Sequence, residues 1–97
     1  KLDLDDLLRR FIIMNLICHF QLKLEIVENE YRIDFGDYFY NEIIELTEMQ
    51  SDGLVSITPD SIEITPLGRF LIRNICMIFD KYNQKNPYKR GVFSQQI

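Results

Sequence analysis

Apolar residues crowd the first twenty positions: Leu4, Leu7, Leu8, Phe11, Ile12, Met14, Leu16, Ile17, Cys18 and Phe20. Leu2 and Leu7 bracket Asp3 as a hydrophobic staple bracketing an N-cap, and Asp5 and Asp6 fall in a first turn where carboxylates complement the helix dipole. A helix from about Leu4 is therefore predicted. Its apolar positions cover far more than one stripe, so it must be buried on two sides or lie against another domain. Phe20, Leu22 and Leu24 alternate with Gln21 and Lys23 as a short strand, and Val27 and Tyr31 stand four apart as on one helical turn.

From Asp37 to Ser51 the spacing is helical, with Phe39, Ile43, Leu46 and Met49 on one face, Glu42, Glu45 and Glu48 elsewhere, and Gly53 as a left-handed stop. Asp34 and Asp37 read as capping residues of this helix. Leu54 to Thr58 and Ser61 to Thr65 alternate as the arms of a β-hairpin turning at Pro59-Asp60. Thr65 as N-cap and Pro66 at the first helical position open a last helix running to about Tyr82, before Asn86-Pro87 and a basic tail. Leu67, Phe70, Leu71, Asn74, Ile75, Ile78 and Phe79 mark its expected buried face. The fold class expected is mainly α with a small antiparallel hairpin (α+β), in winged-helix-like order, as one domain over residues 1–97.

Composition sharpens this. With 97 residues, 46% of them hydrophobic, the chain suits one small core. No apolar run approaches a membrane span, the stretch Phe11 to Met14 being one turn of a helix. The chain opens Lys1-Leu2-Asp3 without a charged-then-apolar leader, and reads as a cytoplasmic piece of something longer. Charge is polarised: residues 33–68 hold eight acids and no Lys or Arg, whereas residues 69–97 hold six cations and only Asp80. A winged-helix order raises DNA binding, but the helix that would enter the groove is acidic, so no nucleic-acid partner is expected.

Cys18 and Cys76 lie in apolar periodic segments and read as reduced packing residues. With His19 beside the first, they lack the short ligand spacings of a zinc site, and no metal site is expected. Gly68 stands without the further glycines of a phosphate cradle, and no catalytic residue is assigned.

Asp52-Gly53-Leu54-Val55, Ile62-Glu63-Ile64-Thr65-Pro66-Leu67-Gly68-Arg69 and Leu71-Ile72-Arg73-Asn74-Ile75-Cys76-Met77-Ile78-Phe79-Asp80-Lys81-Tyr82 closely resemble the carboxy-terminal domain of oxygen-independent coproporphyrinogen III oxidase. Arg9-Arg10 leading to Leu16-Ile17-Cys18, and Asp34-Phe35 with Tyr38-Phe39, resemble the same domain's earlier segments. The resemblance implies a parent enzyme with an amino-terminal radical S-adenosylmethionine (SAM) barrel holding a [4Fe-4S] cluster, which decarboxylates two propionates of coproporphyrinogen III. It implies no cofactor in this segment, and the family's cluster cysteines do not map onto Cys18 or Cys76. The barrel is the partner expected, and the substrate's propionates a further one. In the tail, Gln95 replaces a basic residue expected from the family ending, which weakens a role in binding an acidic group there.

Arg69, Arg73 and Arg90 are the candidate substrate-binding or interdomain residues. On one helix, Arg69 and Arg73 would project from neighbouring points, where two guanidiniums could fork onto carboxylates, with the surplus apolar surface of the first helix, including Phe11 and Ile12, as the dry part of the same contact. The competing readings are a surface helix face, a non-catalytic protein-interaction module and a diverged regulator.

Overall fold

A computed structural model describes residues 3–80. Leu2, the end of the expected last helix, Arg90 and the basic tail lie outside those residues. The chain runs α1 (Leu4–His19), β1 (Gln21–Lys23), α2 (Leu24–Tyr31), α3 (Phe35–Tyr38), α4 (Tyr40–Ser51), β2 (Val55–Ile57), β3 (Ser61–Ile64), α5 (Pro66–Arg69) and α6 (Ile72–Met77). It is mostly helical with one three-stranded antiparallel sheet, in the order β1-β3-β2.

The local signals act as expected where a cap or turn is at stake. The Asp3 carboxylate accepts from the Asp6 backbone N–H at 2.9 Å, and Asp6 reaches back to the Asp3 N–H, closing a capping box. Gly53 takes φ 80° at the end of α4. The hairpin pairs Val55 with Ile64 and Ile57 with Ile62, so the same alternation places Val55, Ile62 and Ile64 in the core. β1 joins the other edge of β3 through Leu22 and Ile62, and the Ile64 N–H donates to the Phe20 carbonyl at 2.9 Å.

Two expected helices are broken, each by a packing demand. The helix expected over Asp37 to Ser51 is α3 plus α4, hinged at Phe39 (φ −107°, ψ 37°). The hinge sets the Phe39 ring 4.9 Å from that of Phe35 and 5.3 Å from that of Phe79, all three fully buried. Asp34 thus caps α3, not the longer helix, by accepting from the Asp37 N–H, and Asp37 sits in that first turn. The helix expected from Pro66 to Tyr82 is α5 plus α6, separated at Phe70 and Leu71. α5 packs on the hairpin strand β3 while α6 lies along α1, and one straight helix cannot serve both. Its buried face is corrected accordingly: Ile75, Ile78 and Phe79 are buried, but Leu67, Phe70, Leu71 and Asn74 are exposed.

On α1, Leu8, Ile12 and Leu16 form the inner stripe. Ile12 belongs to this core and Phe11 rests against the Tyr31 ring, so neither is surplus. The surplus is Leu4, Leu7, Met14 and Ile17, all exposed.

Candidate functional site

The helix break separates the two described candidate arginines. Thr65 caps α5 by accepting from the Gly68 N–H at 3.0 Å, and its hydroxyl donates to the Gly53 carbonyl at 2.6 Å, fastening the start of α5 to the loop before β2. Gly68 is pressed so closely on that loop that a Cβ there would stand 1.9 Å from the Leu54 carbonyl oxygen. From this clamp Arg69 turns back onto the domain, its guanidinium 4.3 Å above the Phe20 ring. Phe20 is itself the left-handed C-cap of α1 (φ 55°). The expectation that Arg69 and Arg73 share one helix side is corrected: Arg69 packs on an aromatic ring, and Arg73 stands on α6 at a groove.

That groove, of about 390 Å³, runs between α1 and α6 and is lined by Ile13, Ile17, Ile72, Arg73, Cys76, Met77 and Asp80. Its walls are largely aliphatic, with a guanidinium and a carboxylate as the charged groups. The arrangement can receive an apolar segment and offer Arg73 to a carboxylate.

An interior charge network, not foreseen from the sequence, fixes α1 against α4. Arg9 is paired through Nε with Asp5 at 3.0 Å and through a terminal nitrogen with Glu42 at 3.0 Å. It also reaches the Phe79 carbonyl at 3.4 Å and lies 5.1 Å from the Phe39 ring centre. Glu42, expected off the buried face, is only 4% exposed. The Tyr38 hydroxyl donates to Asp5, and that hydrogen bond, followed by partial burial, raises the phenol's pKa above its ordinary value. The spacing of Asp5 and Arg9 signals a helical pair, but nothing in the sequence brings Glu42 to them.

Two further polar clusters lie near the surface. Asp3, Asp5 and Asp6 place carboxylate oxygens within 4.8 Å of one another, yet they serve the cap, Arg9 and Tyr38. A polar hollow of about 480 Å³ between β1, α2 and the hairpin turn includes Lys23, Glu25, Glu28 and Asp60, with Glu28 accepting from the Phe35 N–H. Cys76 is buried, and desolvation pushes its thiol up to about 11, which disfavours the thiolate a metal or cluster requires. The packing role expected for Cys18 is corrected: it is exposed on α1, its sulfur 3.7 Å from that of Met14. These two thiols do not make a three-thiolate cluster site. Among the described residues, no helix is long and apolar enough to cross a membrane.

Comparison with known proteins places this architecture. The family model described as the HemN C-terminal domain matches residues 2–71. A Synechocystis protein named oxygen-independent coproporphyrinogen III oxidase is 44% identical over 101 residues, covering 100% of this chain and 22% of the relative. A Pseudomonas aeruginosa protein of the same name is 46% identical over 78 residues, covering 80% of this chain and 17% of the relative. Among solved structures, coproporphyrinogen III oxidase (HemN) from Escherichia coli, described as a radical SAM enzyme, superimposes with a TM-score of 0.81 at 43% identity, over 84% of this chain and 19% of that one. The chain spans about a fifth of the length of the relatives it matches. With the sheet, the helical order and most of the sequence accounted for by one family, the chain belongs to the HemN C-terminal domain family.

Proposed function

We propose that this chain is the carboxy-terminal accessory domain of an oxygen-independent coproporphyrinogen III oxidase of haem biosynthesis, covering the substrate mouth of an amino-terminal radical SAM barrel in the cytoplasm. The observation that carries the reading is the 44% identity to a protein of that name across the whole chain. Pairing of β1 with β3 beside a hairpin supports the winged-helix-like description.

In this reading the [4Fe-4S] cluster and S-adenosylmethionine belong to the barrel. When bound there, they supply the radical chemistry of propionate decarboxylation. This chain's two cysteines do not fit the cluster, and no chemical step is assigned to its residues. Its part is to bind and exclude water. Arg73 is the described residue best placed to meet a carboxylate, because it is the one guanidinium lining a largely aliphatic groove. Arg69 has a weaker claim, being held on Phe20. Arg90, which lies outside the described residues, is proposed for the same role from its place in the basic tail.

The test is made in the full-length enzyme. Arg73→Ala should raise the Michaelis constant for coproporphyrinogen III or loosen domain docking, roughly tenfold for one lost charged hydrogen bond, with cluster content unchanged. Arg69→Ala should lower the melting temperature through loss of about 0.5–1 kcal/mol of cation–π contact and leave the Michaelis constant nearly unchanged. Normal turnover and melting in both variants would remove these arginines from the mechanism.

A further inference from the structure

We draw no further inference here: the strongest candidate, the polar hollow between β1, α2 and the hairpin turn, sets Lys23 among Glu25, Glu28 and Asp60 and so selects no ligand charge, and its buried Ser61 hydroxyl is already bonded to Thr58 and Glu63.

Discussion

Two glycines show how one conformational rule produces different energetic consequences. Gly53 has φ 80° and open space around its missing Cβ, so Gly53→Ala costs only backbone strain, about 1 kcal/mol. Gly68 has an ordinary backbone but no room, because its Cβ would meet the Leu54 carbonyl and Ile64. Gly68→Ala should therefore cost about 3 kcal/mol or more by forcing α5 off the hairpin, measured by urea unfolding. An equal, small loss at both sites would show that α5 is not clamped as described. The thiols differ in the same residue-specific way. A disulfide reagent at neutral pH should modify exposed Cys18 promptly and buried Cys76 only on unfolding. The Cys76 thiol, raised to about 11 by desolvation, stays protonated in the fold after the unfolded chain has begun to release its proton near pH 8.5. The unfolded state then binds fewer protons, so the stability associated with this thiol is intact below roughly pH 8.5 and declines as pH rises toward 11. Melting across that window, compared with Cys76→Ala, checks the sign.

At the scale of elements, the structure depends on how α1 is held. Arg9 bridges α1 to α4 through Glu42 and reaches the Phe79 carbonyl just after α6, so one side chain connects three separate pieces of chain. The side chains of Arg9 and Glu42 are 14% and 5% exposed, so removing either leaves a charge in a poorly solvated place. Arg9→Met alone should cost roughly 3–5 kcal/mol, whereas Arg9→Met with Glu42→Leu should recover most of it. Thermal unfolding of the single and double variants measures the coupling; additive losses would mean that the pair contributes little as a pair.

Over the whole molecule, charge and apolar surface point to different partners. The segment 33–68 carries no Lys or Arg, and α4 shows Glu48 to solvent. Duplex DNA titrated at low salt should not bind, as seen by fluorescence anisotropy, because phosphate neutralisation has no cations to use on that face. Micromolar affinity there would reopen the nucleic-acid reading. Exposed apolar side chains on α1 and the α5–α6 turn, among them Leu4, Met14 and Phe70, suit protein contact instead.

The sequence alone determined those features that depend on a few neighbouring residues. Asp3 had to cap α1, Gly53 had to end α4, the alternation of Val55, Ile57, Ile62 and Ile64 had to make a hairpin, and Thr65-Pro66 had to open a helix, because each signal acts within one turn of chain. The family resemblance was legible for a related reason, being carried by continuous runs of residues. Tertiary structure decided whatever required two distant segments to compete for one place. The aromatic packing of Phe35, Phe39 and Phe79 broke one helix, and the separate docking of α5 on the sheet and α6 on α1 broke another. That second break turned Phe70 outward and parted Arg69 from Arg73, although i to i+4 spacing alone would have set them together. Periodicity can say that a residue faces something; only the assembled fold says whether that is core, solvent or a buried countercharge.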